Sequence, residues 1–233
     1  QNIDKNEFEV IISNDRSEDK TEEILSRYSE KHKFIKSINI KNKKDMAPKK
    51  YALEKAIKAS KGEIILTTDA DCRVPINWVR SMAKLVNRTN KVVVGYSEVK
   101  GKNKIINEIQ KIDFLGIMSS NAGFLTNGMV CSGSGQNLGY KKDDFFTIGG
   151  FSSVKDKKSG DDMYIVQAIS KLKGAIFNYD KNSFVSTLPQ KTIKGYINQR
   201  IRWSSNSRFT LFSRPLFFCF LCSAFISNAN III

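Results

Sequence analysis

The chain has a single histidine and only four cysteines in 233 residues. His32 sits in the polar run SEKHKF and reads as an exposed side chain. Cys72, Cys131, Cys219 and Cys222 are not spaced as a disulfide framework, which points to a reducing compartment. Cys219 and Cys222 form a C-x-x-C, but within the apolar run PLFFCFLCSAF, a poor setting for redox or zinc chemistry. No segment repeats and none is of low complexity, so a solenoid or a disordered tail is excluded. No basic stripe is interleaved with aromatics, so nucleic acid is not the expected partner. No apolar run reaches the roughly 20 residues that span a bilayer. Pro215 to Ile226 comes nearest, before SNAN and a final III. It reads as the start of a membrane segment, with a buried terminal helix as the alternative. No signal peptide is expected from the residues ahead of the first strand.

What is present is globular in kind: 41% hydrophobic and 26% charged residues. Lysine and arginine number 38 against 23 acids, a net charge of +15. Such a balance favours polyanions, anionic lipid headgroups or phosphorylated substrates, or else reflects solvated lysine-rich faces.

Strand and helix patterns alternate through the first hundred residues. FEVIIS reads as a strand, followed by the polar loop NDRSEDKT, in which Ser17 is a candidate helix cap. FIKSINI is a second strand. APKKYALEKAIKAS is a helix with Pro48 in its first turn and Gly62 beyond its end. EIILTTDAD is a third strand, Pro75 opens a helix, and KVVVGYSEV is a fourth strand. The alternation predicts a parallel, doubly wound α/β sheet with helices on both faces. Ligands of such sheets lie beyond the carboxyl ends of the strands, where NDRS and DAD fall. After Gly101 come a helix with a wide apolar face, a glycine-rich stretch (residues 129–151), a helix opening at GDD, the strand AIFNYD and a basic amphipathic helix, TIKGYINQRIRWSSNSRF.

Four groups can carry chemistry. Asp69 and Asp71 form a D-x-D at a strand end, which suits Mg²⁺ or Mn²⁺ completed by water and phosphate oxygens; an acidic turn is the plain alternative. Asp15, also past a strand, can accept from a nucleobase N–H or serve a turn. Asp161 and Asp162 open a helix, where capping explains one of them and a general base would explain the second. Gln199, Arg202 and Trp203 share a helix face, where the guanidinium can pair with phosphate and the indole can stack on a sugar. An interfacial helix anchored by Arg and Trp is the alternative, and both can hold.

In this order, VIISNDRSEDKT, KKYALEKAIKASKGEIILTTDADCRVP, SGSGQNLGYKKDDFFTIGGF, GDD and QRIRW resemble the family 2 inverting glycosyltransferases over residues 8–207. They are most similar to the membrane-bound members, among them cellulose, hyaluronan and poly-N-acetylglucosamine synthases. The resemblance implies a GT-A-type, Rossmann-like mixed sheet with helices on both faces, a C-terminal interface helix and the start of a membrane segment. It implies that Asp15 and Asp69 bind the nucleotide of a UDP donor and that Asp71, with Asp69, holds the metal. Asp162 would be the general base, with Asp161 beside it. Gln199, Arg202 and Trp203 would close the donor and acceptor site, and Lys49 or Lys50 would match the family's basic residue before its AL helix. The middle acid of the family motif is Asp161 here, and Gly160 stands where threonine is frequent. An earlier strand and helix of the family has no match, so a sheet edge is expected to be open.

The expected organisation is a nucleotide-sugar half (1–100), an acceptor and catalytic half (101–190), an interface helix (191–208) and a membrane start (209–233). The expected reaction moves a sugar from a nucleotide diphosphate, with Mg²⁺ or Mn²⁺, to a hydroxyl of a saccharide or lipid-linked acceptor. The expected setting is the cytoplasmic face of a membrane. Degenerate transferase-like scaffolding is the alternative.

Overall fold

Short apolar runs make the strands and amphipathic stretches the helices between them. A computed structural model describes residues 1–41, 45–102, 104–130, 132–157 and 159–204, together with Cys219, Cys222 and Ser223. The expected membrane start at 209–233 and residues 205–208 of the interface segment thus lie almost wholly outside the described residues. Among the described residues no helix is long and apolar enough to cross a membrane.

The chain opens with β1 (Val10–Asp15), α1 (Thr21–Lys31), β2 (Ile35–Ile40) and α2 (Pro48–Ala59). β1 and β2 pair in parallel, Val10 opposite Ile35 and Asp15 opposite Ile40. Pro48 does sit in the first turn of α2. Ser17 does not cap α1: the helix starts at Thr21, whose N–H is accepted by Asp19, while the Ser17 N–H goes to Asn14. His32 is half-buried rather than exposed, with its ring 5.6 Å from that of Phe34.

Next come β3 (Ile64–Thr67), β4 (Cys72–Arg73), α3 (Trp78–Thr89), β5 (Val92–Gly95), β6 (Ser97–Val99) and α4 (Ile105–Thr126). The remainder is β7 (Leu138–Lys141), α5 (Lys142–Thr147), α6 (Asp161–Lys173), β8 (Ala175–Asn178), β9 (Val185–Thr187) and α7 (Ile193–Ser204). The central sheet runs β3-β7-β5-β8, and a smaller one runs β4-β9-β6. The central sheet is mixed, as the family resemblance implies, and the parallel doubly wound sheet read from the alternation alone is corrected. β7 runs antiparallel between β3 and β5, while β3, β5 and β8 share one direction and β5 and β8 pair in parallel. Periodicity identifies strands but says nothing of which strand inserts between two others.

Helices do cover both faces of the central sheet. Val92 and Val94 point into a core with Ile165, Val166 and Ile169 of α6, and Val93 points the other way, to Trp78, Met82 and Val86 of α3. All three valines are fully buried, and each such side chain contributes about 1.5–3 kcal/mol. β1 and β3 each pair on one side only. They are tied at their starts by the Glu9 carboxylate, which accepts the N–H groups of Lys61 and Gly62.

The predicted strand KVVVGYSEV breaks at Tyr96 into β5 and β6, which join different sheets. Asn137 explains the break. Its Nδ2 donates to the carbonyls of Tyr96 (2.8 Å) and Ser183 (2.7 Å), and its Oδ1 accepts from Trp78 Nε1 (2.9 Å). The amide lies so close to Gly95 that a Cβ there would be 2.3 Å from it. Replacing Asn137 with alanine would strand the Trp78 N–H and the Ser183 carbonyl, while the Tyr96 carbonyl keeps the Val185 N–H, and should cost at least about 2 kcal/mol. Urea denaturation measures this; a loss under half that size would show the amide is not the junction.

Candidate active site

Strand ends and a helix start bring the acids together. β3 ends at Thr67, and Asp69 and Asp71 lie in the turn that leads to β4. The Asp69 carbonyl accepts the Cys72 N–H at 3.0 Å, which closes the turn. Asp161 and Asp162 occupy the first turn of α6 after Gly160, whose φ of 81° lets the chain turn into the helix. Lys49, in the first turn of α2, joins the two groups. Its Nζ is 3.3 Å from Asp69 Oδ1 and 3.4 Å from Asp161 Oδ2. The first D-x-D carboxylate and the acidic pair therefore converge on one ammonium.

Asp161 is buried and Asp162 half-buried. Asp162 Oδ2 accepts the Gly135 N–H at 2.9 Å, and Oδ1 accepts that of Met163 at 2.8 Å. Enclosure, then the neighbouring Asp161, push the Asp162 carboxyl above the ordinary carboxylate range; the two N–H groups and Lys49 oppose them. Burial opposes the Lys49 charge, but Asp161, Asp69 and Asp162 together outweigh it and hold its pKa above the usual lysine value.

Lys50 acts differently. It is buried and donates to the carbonyls of Lys157 (2.5 Å) and Ser159 (3.2 Å), so it ties down the chain leading into α6. Burial holds its pKa below the ordinary value. Two adjacent lysines thus divide the work: Lys49 meets the carboxylates and Lys50 holds the backbone that carries them. The glycine-rich loop has a steric reason for its composition. That reason holds at Gly133, where a Cβ would be 2.5 Å from Val166, whereas one on Gly135 would meet Lys49 and Asp162 at ordinary contact distance.

Asp71 is exposed and lines a cavity of about 410 Å³ with Arg73, Lys100, Lys102, Thr187 and Leu188. Burial and the adjacent Asp71 and Asp69 push the Cys72 thiol up to about 11, so the free thiol stays protonated near neutral pH. Among the described residues no three metal-binding side chains come together. Two carboxylates on one exposed turn still fit Mg²⁺ or Mn²⁺, which take one or two protein carboxylates and complete their shells with phosphate and water.

Asp15 stands at the end of β1 apart from these contacts. Arg16 grips it with Nε at 2.7 Å and a second nitrogen at 3.1 Å. On α7, Gln199 accepts from Arg200 (3.1 Å), and the Trp203 ring lies 6.0 Å from that of Phe114 on α4. Arg202 is exposed. The contacts of Gln199 and Trp203 thus run to Arg200 and α4 rather than to the acidic cluster. Sequence reasoning missed Arg200, Asp113 and Tyr196, which pin α7 in place. Their signal was the spacing of Tyr196, Arg200 and Trp203 along one helix face.

Residues 1–154 match the model of Glycosyl transferase family 2. The chain belongs to this family. Among curated relatives, the poly-beta-1,6-N-acetyl-D-glucosamine synthase of Staphylococcus epidermidis is 27% identical over 207 residues, 85% of this chain and 47% of that protein. Its counterpart in Staphylococcus aureus strain COL is 25% identical over 203 residues, 84% of this chain and 46% of the relative. The chain spans about half the length of these relatives. Among solved structures, S. aureus TarS in complex with UDP-GlcNAc superposes with a TM-score of 0.56 at 16% identity, over 82% of this chain and 52% of that one. GalNAc-T7 with UDP, GalNAc and Mn²⁺ gives 0.55 at 14% identity, over 89% and 45%. These likenesses show the fold: a mixed α/β glycosyltransferase domain of the GT-A kind.

If Lys49 is the charge that restrains the pair, removing it must raise the proton affinity of Asp162 further. In Lys49→Met the Asp162 carboxyl should titrate at higher pH, followed by carboxyl carbon NMR. An unchanged or lower midpoint would refute this role.

Proposed function

We propose that this chain is the donor-binding and transfer domain of an inverting glycosyltransferase that uses a UDP-sugar. The observation that carries the reading is the convergence of Asp69 and Asp161 on Lys49, with Asp162 beside them. Donor phosphates and an acceptor hydroxyl would meet there. Asp162 takes the proton of the acceptor hydroxyl, and that oxygen attacks the anomeric carbon. The bond to the diphosphate breaks, the diphosphate leaves with the electron pair, and the configuration inverts. A carboxyl with a raised pKa is a stronger base, which suits this task. Asp71 and Asp69 would hold Mg²⁺ or Mn²⁺, which supplies positive charge to the leaving diphosphate. Asp15 reads as the nucleobase contact once Arg16 releases it, and Arg202 as a phosphate contact. Asp161, Gln199 and Trp203 read as donor-sugar and acceptor contacts.

The likeness to poly-beta-1,6-N-acetyl-D-glucosamine synthases and to TarS in complex with UDP-GlcNAc makes UDP-N-acetylglucosamine the donor to test first, and a saccharide or lipid-linked saccharide the acceptor. Two helices support work at a membrane surface, on its cytoplasmic side. α4 buries Asn107, Gln110 and Asn121 but exposes Ile105, Ile109, Ile112 and Leu115. α7 exposes Ile193, Ile197 and Ile201. α4 also buries Phe114, Met118 and Leu125, so its apolar residues lie on both sides; the exposed isoleucines suit helices that meet lipid, and the +15 charge suits anionic headgroups.

In the full-length protein, Asp162→Asn should lower transfer at least about 100-fold and leave Mn²⁺-dependent UDP binding intact, measured by product formation and calorimetry. Full activity in that variant would remove Asp162 as the base, and absence of metal-dependent UDP binding in the wild type would sink the enzyme reading. Ile109→Asp with Ile197→Asp should reduce co-flotation with anionic vesicles; unchanged flotation would remove these faces from the membrane contact.

A further inference from the structure

The motif QRIRW contains two arginines, and the structure separates them. Arg202 is exposed. Arg200 turns inward, where Nε and one terminal nitrogen lie 2.6 and 2.5 Å from Asp113 Oδ2 on α4. Tyr196 donates its hydroxyl to the same oxygen at 2.8 Å. The guanidinium lies 4.8 Å from the Tyr196 ring centroid and 4.3 Å from that of Trp203. Its remaining terminal nitrogen donates to Gln199 Oε1 at 3.1 Å. Every face of this one side chain is engaged: the edge by a carboxylate and an amide, the planes by two rings.

We infer that Arg200, anchored by Asp113, is the positioning residue that sets the rotation of α7 and so fixes where Gln199 and Trp203 stand. The inference rests on the transferase reading for its consequence but not for its geometry. A helix turns about its axis by roughly 100° per residue, so losing one strong radial contact lets neighbouring side chains swing. Asp113 is the sole carboxylate named in these contacts, and its oxygen collects three donors. The partly enclosed, charge-assisted bonds are the strong kind. A lysine could keep the charge but neither the fork nor the stacking. The packing around Trp203 gains from the cation as well as from Phe114.

The test has two independent arms, on the full-length protein in membranes. In the first, hydrogen exchange is followed in Arg200→Ala, Asp113→Asn and the double variant. Amides of 193–204 should exchange faster, by similar amounts in all three, with the central sheet unchanged. Unchanged protection of α7, or additive effects in the double variant, would overturn the latch, whatever the enzyme does. In the second arm, UDP binding and transfer kinetics are compared. Arg200→Ala should lower kcat about 10- to 100-fold while UDP affinity moves less than about threefold, with Arg200→Lys intermediate. Full kcat in Arg200→Ala would overturn the positioning role. A wild type that binds no UDP would count against the transferase reading alone, and the exchange arm would still decide the latch.

Discussion

Like charges cannot be gathered in an enclosed place without a counter-charge. Asp69, Asp161 and Asp162 sit around one ammonium, that of Lys49, and the site depends on this compensation. Coulomb repulsion between neighbouring carboxylates in a partly enclosed site costs several kcal/mol at an effective dielectric near 20. The structure answers it in three ways. Lys49 supplies charge, Gly135 and Met163 supply N–H donors, and Asp162 raises its proton affinity. A group tuned in this manner holds a proton more readily than an ordinary carboxylate.

The same economy links the site to the fold. Asn137 stands two residues beyond Gly135, and its amide binds α3, the β5–β6 junction and the chain before β9. Fixing Asn137 therefore fixes the loop that presents the Gly135 N–H to Asp162. Lys50 does likewise from the other side, by holding the backbone before α6. Catalytic geometry in such a site comes from buried polar groups whose bonds are fully made, because an unmade one is expensive.

α4 and α7 follow a different rule. Their contact combines the polar cluster of Asp113, Arg200 and Tyr196 with the Phe114 and Trp203 rings, and Gln110 of α4 exchanges two hydrogen bonds with Gln190 ahead of α7. Their outer faces are isoleucine-rich. In water, burial of the isoleucines against each other would be favoured. α4 does bury Phe114, Met118 and Leu125, and the isoleucines left outside are the ones assigned to the proposed membrane contact.

Much was legible in the residues. Val92, Val93 and Val94, with no polar alternation, announced a strand covered on both faces, and Pro48 marked a helix start. The ordered acids, with Q-x-x-R-W, pointed to the family that residues 1–154 match. The insertion of β7 between β3 and β5 was not legible, nor was the break at Tyr96, because strand partnership depends on contacts between distant residues. Arg200 was read over in favour of Arg202, since one-dimensional spacing does not say which arginine meets a carboxylate on another helix. The sequence by itself determined the elements, the family and the roster of acids, since those follow from local pattern and residue chemistry. Only the tertiary structure decided which acids share a cation, which lysine holds backbone and which arginine turns inward, because each is a distance between residues far apart along the chain.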